Sequence, residues 1–343
     1  MLHGRWLQGD LPLNINDDDF GPSSTVLPQP LPDSQMTPVS YLTAKARLAL
    51  VFAEALQEAD KSGNVPYAPV AALDAKLRSI YENMPQPYRE MEVFGQVVEN
   101  AGELTARIVL ASIYNKALCV LHARYLDIVA DSPQILYSRL ACIHSAMALL
   151  SCQDLYNRDV VVQGRVTRLS NSLTSMTLHD FFLAATLLCK ALFLEHDEGI
   201  AGTLGPLAVE AIGAETPSIT IYTEDQILEA LDSSLRVFDR DRVSSAEAGR
   251  ACDLLSRLLQ ELRDPLSRSL RRGDWPFSHT QDADWLTSTR MQLDSSSILP
   301  EADPGVDPRE LESWTQHTTT GVDVEQNAYL RVPGNAIWGY YTP

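Results

Sequence analysis

The sequence carries little positive charge. Its 343 residues include 27 Lys and Arg against 45 Asp and Glu, which gives a net charge of −18. Such a chain repels phosphate backbones, so we expect no direct contact with nucleic acid. The adjacent pair Arg271 and Arg272 is more typical of a solvated helix end than of a basic patch.

Cysteines are few, and no two of them form a C-x-x-C pair. They occur at the five positions Cys119, Cys142, Cys152, Cys189 and Cys252. All five lie in apolar, helical contexts, which predicts reduced core thiols of an intracellular protein rather than a disulfide framework. No long apolar run follows Met1, so we expect no secretory signal. No stretch reaches the roughly 18 apolar residues of a membrane-spanning helix, so we expect no membrane partner.

Strand-like alternation and repeats at a fixed spacing are missing as well, and the apolar residues follow helical periods instead. The sequence therefore predicts an all-α fold. A first helix is predicted over residues 40–60 and a second from Pro69 to about residue 81. The apolar face of the first should contain Leu42, Ala46, Ala49, Leu50, Ala53 and Leu56, and that of the second Leu73, Leu77 and Ile80.

Residues 103–158 predict the centre of the fold. They form two nearly all-apolar helical segments joined by an acidic turn at Asp127 and Asp131. A helix that is apolar on most of its circumference is buried, so the first segment is predicted to be the central helix of the core. Ser132 and Pro133 have the spacing of a cap and a first helical residue for the second segment. Three later helices begin with capping-box spacing: Thr177 with Asp180, Thr223 with Gln226, and Ser244 with Glu247.

The two ends of the chain differ from the middle. Residues 1–38 are rich in proline and predict an extended segment that lies across a folded surface. Residues 39–263 are predicted to form the helical domain. Residues 264–343 are acidic, and between residues 274 and 325 eleven Asp and Glu face two Arg. Acidic residues interleaved with large hydrophobic ones predict a poorly ordered tail.

Four segments occur in an order that is similar to a known family. They are LPLNINDDDF at residues 11–20, the helix that follows Met36-Thr37-Pro38, LCVLHARYL at 118–126 with Ser138-Arg139 and a further helix behind it, and HDFFLAATLLCKALF at 179–193. Together they resemble the middle homology region of fungal zinc-cluster transcription factors, the fungal-specific transcription factor domain.

The resemblance implies a multi-helix regulatory domain that acts in transcription regulation, in the nucleus, or in the cytoplasm if a nuclear signal is lost. It implies co-regulator or transcription-machinery partners, a small-molecule effector, and dimers with itself or with full-length relatives. Zinc-cluster ligands of this family do not occur in the sequence, so we expect no cofactor. The chain is then either a truncated regulator or a standalone effector domain. A helical domain that binds or converts a hydrophobic metabolite of secondary metabolism is the alternative.

Candidate site residues are polar or aromatic groups near the end of the central helix: Tyr114, His122, Arg124, Tyr125 and Arg139. Such groups in an apolar setting need partners. Either the arginines pair with Asp127, Asp131 or helix-end carbonyls, or the set lines a ligand pocket. For the tail the sequence leaves two interpretations: either it is a solvated C-terminal tail, or it docks on a coactivator as a short activation helix. The hydrophobic anchors in the second case are Trp285, Leu286, Met291, Ile298 and Leu299.

Two metal-site patterns are weak. Asp17, Asp18 and Asp19 are clustered carboxylates, but they lie in the proline-rich segment without a second acidic motif. Cys119 and His122 lie one turn apart, as do Cys142 and His144 on the next helix, yet both helices are apolar nearly all round. We expect core residues and no bound metal at either place.

Overall fold

The computed structural model describes residues 11–61, 66–89, 101–128, 132–163, 170–195 and 219–263. Within these ranges the chain forms eight α-helices and no strand, which confirms the all-α prediction. The helices are α1 (Ser40–Ala59), α2 (Tyr67–Glu82), α3 (Gln86–Arg89), α4 (Ala101–His122), α5 (Pro133–Gln163), α6 (Ser170–Glu195), α7 (Glu224–Asp241) and α8 (Ala246–Arg263). A 3-10 turn, Ala123–Asp127, follows α4.

Helix α4 is the centre of this fold, as predicted. One hydrophobic cluster joins α1, α2 and α3 to one side of α4, where Leu110 and Leu118 are buried. A second cluster joins α5, α6, α7 and α8 to its other side, where Ile108 and Cys119 are buried. Because α4 belongs to both clusters, it is covered on nearly every face.

The expectation that no stretch is long and apolar enough for a membrane span is wrong. Two helical stretches, Leu104–Asp127 and Pro133–Asn157, meet that test by length and composition. The most apolar windows of these two are 78% and 72% buried inside the protein. A helix at the centre of a folded core passes the same test, so burial explains their apolar character.

The predicted apolar face of α1 is also wrong. Leu42 is 38% exposed and Ala49 is exposed, whereas the buried residues include Leu48, Val51 and Phe52. Both stripes of this helix are apolar, so periodicity alone does not distinguish them. Packing against α2 and α4 selects the stripe that is buried.

Helix starts agree with the sequence in two cases. Ser132 precedes α5, and its Oγ accepts from the backbone N–H of Ile135 at 3.4 Å. The capping box of α7 is complete, because Thr223 Oγ1 accepts from Gln226 N at 3.3 Å and Gln226 Oε1 accepts from Thr223 N at 2.9 Å.

Three other predicted starts are wrong. Helix α2 begins at Tyr67, so Pro69 occupies its third position. Helix α6 begins at Ser170, so Thr177 lies inside it, since an established helix extends at little cost. Ser245 rather than Ser244 caps α8, because its Oγ accepts from Ala248 N at 3.2 Å.

The described part of the N-terminal segment, from Leu11 to α1, has no helix apart from the 3-10 turn Asp17–Asp19. It is not extended throughout, because it turns at residues 22–23 and 33–34 and Leu31 N donates to the carbonyl of Asn14 at 2.7 Å. The poorly ordered acidic tail, with its predicted anchors, lies outside the described residues.

Candidate functional site

A buried polar network lies where α2, α4 and α5 meet. Its centre is the carboxylate of Asp74 on α2, which is 6% exposed. His122 Nε2 lies 3.1 Å from Asp74 Oδ1. Arg78 Nε donates to Asp74 Oδ2 at 2.9 Å, and Tyr137 Oη donates to the same oxygen at 2.8 Å. Three groups from three helices therefore meet one carboxylate.

The network continues on the other side of His122. Its Nδ1 lies 3.0 Å from the Oγ of Ser138, and that hydroxyl lies 3.0 Å from Tyr67 Oη. A neutral imidazole protonated at Nε2 fits a chain in which Tyr67 donates to Ser138 and Ser138 donates to His122. A protonated imidazole fits the same atoms with both hydroxyl bonds reversed, so the network satisfies either state.

The partners of Asp74 keep it ionised. Burial raises the pKa of this carboxyl, but the hydrogen bonds and positive charges of His122 and Arg78 outweigh burial and lower the pKa to about 2. The pKa of Arg78 shifts in the opposite direction. Burial disfavours its charge, but the hydrogen bond to Asp74 and the nearby oxygens raise its pKa above the ordinary value. The buried charges are thus paired and hydrogen-bonded, as buried charges must be.

Serine, histidine and aspartate in hydrogen-bonded sequence are also the groups of a nucleophilic triad. Here the serine contacts Nδ1 and the aspartate contacts Nε2, and both Ser138 and His122 are 0% exposed. No substrate reaches a hydroxyl that is closed off in this way. The arrangement instead supplies partners to polar groups inside the core and ties three helices together.

Two predicted site residues lie in the aromatic packing beside this network. The ring of Tyr114 stacks on Tyr81 with centroids 4.2 Å apart. The ring of Tyr125 meets Tyr67 edge to face at 5.6 Å. Tyr114 is 9% exposed and Tyr125 6% exposed, so these rings fill space in the core.

The two predicted arginines have different environments. Arg124 Nη2 donates to the carbonyl of Lys61, just beyond the end of α1, at 3.2 Å. Arg139 is 1% exposed on α5. Asp127, the acidic residue after α4, accepts from Lys190 Nζ at 2.6 Å through its Oδ2. Among the predicted site residues, His122 contacts Asp74 directly.

The weak metal-site patterns do not converge on a metal centre. Asp17–Asp19 form an exposed 3-10 turn, where Asn16 Nδ2 donates to Asp19 Oδ2 at 3.2 Å. Cys119 and Cys142 direct their thiols at each other's backbone carbonyls at 3.9 Å, and His144 Nδ1 accepts from Thr220 N at 3.2 Å. No group of three His, Cys, Asp or Glu that could hold a metal ion occurs in the part of the chain that the structure describes. All five cysteines are free and buried, as predicted.

A second polar cluster holds the N-terminal segment against α1. Asn14 is 4% exposed, and its Nδ2 donates to the carbonyls of Pro32 at 2.8 Å and Gln35 at 3.1 Å. Its Oδ1 accepts from Thr37 Oγ1 at 2.6 Å and from Ser40 Oγ at 3.0 Å. One asparagine thus closes a loop of the segment and attaches it to the first turn of α1. We call these residues the Asn14 clasp.

Neither central residue of these clusters was singled out from the sequence. Asp74 occupies the buried stripe of α2 between Val70 and Leu77, and an acidic residue within an apolar stripe is the signal that could have found it. Asn14 lies in the LPLNINDDDF segment, where the resemblance pointed to the motif but not to the contacts of this side chain.

A cavity of about 280 Å³ lies beside the Asn14 clasp, between the N-terminal segment, α1 and the end of α2. Its lining includes the ion pair of Asp33 with Arg47. A shallower groove of about 410 Å³ lies between α7 and α8 and is lined by Leu235, Leu259 and Arg263 among others. Neither space is lined by any of the five predicted site residues.

Curated proteins that resemble this chain are fungal regulators. The Zn(2)-C6 fungal-type transcription factor pigI of Monascus ruber is 30% identical over 249 residues, which are 72% of this chain and 29% of that protein. The chain is related to fungal Zn(2)-C6 transcription factors. The factor mpsB of Macrophomina phaseolina is 28% identical over 74% of this chain and 33% of its own length. The equisetin cluster transcription factor eqxF of Fusarium heterosporum is 23% identical over 74% of this chain and 34% of its own length.

The relationship to fungal Zn(2)-C6 transcription factors confirms the resemblance seen in the four sequence segments. The chain spans about a third of the length of these curated relatives. No protein-family model matches the sequence, and no solved structure matches it. Nothing in these similarities favours the alternative of a metabolite-converting domain.

Proposed function

We propose that the chain acts in transcription regulation, as a regulatory region of a fungal regulator of secondary metabolism. The observation that carries the proposal is the similarity over 72–74% of the chain to three fungal transcription factors, one of them named for a biosynthetic cluster. A site of action in the nucleus follows from the same proposal.

The geometry supports a regulatory scaffold more than a catalyst. The one serine–histidine–aspartate arrangement described above is closed to substrates, because Ser138 and His122 are fully buried. Both hydrophobic clusters share α4, so a change in the packing of one half has a direct route to the other. That route is what a regulatory domain needs if a signal at one surface alters another.

The proposal also covers the proteins that the chain contacts. We expect co-regulators or the transcription machinery to contact the acidic tail through Trp285, Leu286, Met291, Ile298 and Leu299. Large hydrophobic residues within acidic sequence suit docking into an apolar groove, and the negative charge speeds the encounter. Dimers with itself or with full-length relatives stay a prediction that light scattering of the chain, alone and mixed with a relative, tests.

A tethering experiment tests the regulatory role. The full chain is fused to a heterologous DNA-binding module in a fungal host, with a reporter of intermediate basal activity so that activation and repression are both visible. We expect reporter output to differ from that of the module alone. The matched variant replaces Trp285 and Leu286 by alanine, which leaves residues 39–263 unchanged and should reduce activation.

Three outcomes separate the parts of the proposal. Output equal to that of the bare module, with the fusion present in the nucleus, contradicts a regulatory role. If the fusion changes reporter output, and the variant with Trp285 and Leu286 replaced changes it equally, the result supports regulation and contradicts the tail contact. Loss of output in the variant supports both.

A further inference from the structure

None of the residues of the Asp74 network lines the cavity beside the Asn14 clasp. It is a partly open space between three parts of the chain: Pro32, Asp33 and Ser34 of the N-terminal segment, Ser40, Thr43, Ala44 and Arg47 of α1, and Ser79, Ile80, Asn83, Met84 and Pro85 at and just after the end of α2. Asn14 also lines it and holds the first wall in place. The space is therefore formed by long-range contacts and does not depend on a single loop.

The lining of this cavity combines charged and apolar groups. The charged groups are the ion pair of Asp33 with Arg47, whose side chains are 36% and 34% exposed. The apolar groups are Ala44 and Met84, which are 6% and 2% exposed, with the half-buried Ile80. Concave sites with an apolar body and a few placed polar groups are typical of small-molecule sites.

The ion pair limits which ligands fit. A ligand with one charge would take one partner and leave the other without its counterion. Water screens part of this loss, because both side chains are about a third exposed, but the ligand still gains one ionic contact where a zwitterion gains two. A zwitterion that enters between the two replaces both partners at once. Its carboxylate meets the guanidinium of Arg47, which suits planar two-point binding, and its ammonium meets the carboxylate of Asp33.

The volume of the cavity and its apolar lining residues narrow the choice of zwitterionic ligand. A volume of about 280 Å³ lies just below the range of sites for drug-sized ligands, which favours a single small metabolite over a peptide. Ala44, Ile80 and Met84 offer apolar surface beside the charged pair. We propose that this cavity binds a free α-amino acid with an apolar side chain, between Asp33 and Arg47.

Calorimetry on the full chain tests the proposal, with L-leucine, L-methionine and L-phenylalanine as probes. Two analogues of leucine serve as single-charge probes: 3-methylbutylamine lacks the carboxylate, and 4-methylpentanoate lacks the ammonium. We expect at least one amino acid to bind with a Kd of about 1 mM or tighter. Both single-charge analogues should bind about tenfold or more weakly than leucine, because each leaves one member of the ion pair unpaired.

Variants locate the binding. Arg47→Ala and Asp33→Ala should each weaken binding about tenfold or more. Ser79→Phe should block it, because Ser79 is an exposed lining residue from which a ring can fill the space without entering the core. Lys76→Ala is the matched control, since it removes an exposed ion pair with Glu54 outside the cavity and should leave affinity unchanged.

Circular dichroism of each variant without ligand shows that it is folded. No heat from any of the three amino acids at about ten times the expected Kd would overturn the proposal. Equal binding of leucine and its single-charge analogues, or full affinity in a folded Arg47→Ala or Ser79→Phe protein, would overturn it as well. The binding site is independent of whether the chain regulates transcription, because no reporter enters the measurement.

Discussion

Removing the carboxylate at the centre of the buried network should be among the most damaging single changes in this protein. Asp74→Ala leaves Arg78, His122 and Tyr137 without their shared acceptor, and the Arg78 and His122 side chains are only 12% and 0% exposed. Breaking a buried charge pair by deleting one partner costs about 3–5 kcal/mol. That is a large part of the roughly 5–15 kcal/mol that keeps a typical domain folded.

Urea unfolding at neutral pH, followed by far-ultraviolet circular dichroism, measures this loss. Glu54→Ala is the control, because the Glu54–Lys76 pair is about half exposed and should contribute less than about 1 kcal/mol. If Asp74→Ala falls within about 1 kcal/mol of the wild type, the carboxylate does not hold the three helices together and the reasoning fails.

The same carboxylate should make stability depend on acid pH. Its pKa of about 2 in the folded protein lies below the ordinary 3.8, so ionised Asp74 stabilises the fold above pH 4 to 5. This contribution, about 2 kcal/mol, is lost as the pH falls towards 2. Asp180 acts in the opposite direction, because burial raises its pKa despite the nearby Lys116.

Comparing the wild type with Asp74→Asn isolates the effect, since Asp180 is common to both. The difference in unfolding free energy between the two proteins should shrink by about 2 kcal/mol from pH 5 to pH 2. A difference that stays constant over this range would show that Asp74 titrates in the folded protein as it does in the unfolded chain.

Three further predictions concern the clasp, a cap and the thiols. Asn14→Ala should lower the free energy of unfolding by about 1–3 kcal/mol and speed chymotrypsin cleavage after Phe20, because buried hydrogen bonds of the clasp are lost. Asn83→Ala loses only exposed hydrogen bonds and should change neither quantity. Thr223→Ala removes the capping box and should lower the free energy of unfolding, measured by thermal unfolding, by about 1 kcal/mol. For Ser244→Ala the decrease should be less than about 0.5 kcal/mol, because that hydroxyl makes an exposed hydrogen bond. A thiol reagent should label no cysteine quickly in the native protein and all five after unfolding, because all five are buried; fast native labelling of any one would contradict that burial.

Sequence periodicity was sufficient for the fold class and for the central place of α4, because both depend on local apolar pattern. It was not sufficient for α1, where two apolar stripes compete and only the neighbours α2 and α4 decide. It also missed the first turns of α6, since residues 170–176 are mostly polar, and Leu173 and Met176 alone are too few to define an apolar period. Local pattern therefore fails where packing with distant segments makes the choice.

The network could not be predicted because its members are far apart in the chain. Asp74 and His122 are 48 residues apart, and Tyr67 and Ser138 are 71 apart. The sequence did indicate that His122 needs partners, since a polar ring in an apolar helix must be satisfied. Identifying those partners requires knowing how α2, α4 and α5 are rotated relative to one another. The spacing of residues in the sequence does not give that rotation.

The positions of the paired charges suggest how this fold keeps a single arrangement. Apolar side chains tolerate small shifts between helices, but Asp74 keeps its three partners only at one rotation of α2, α4 and α5. On the other side of α4, Lys116 Nζ lies 2.5 Å from Asp180 Oδ1 and fixes α6 in the same way. Sliding α4 by one turn would break both sets of contacts and leave buried charges unpaired. A signal that crosses this domain should therefore move α4 together with its polar partners as one unit, and not slide it along its own axis.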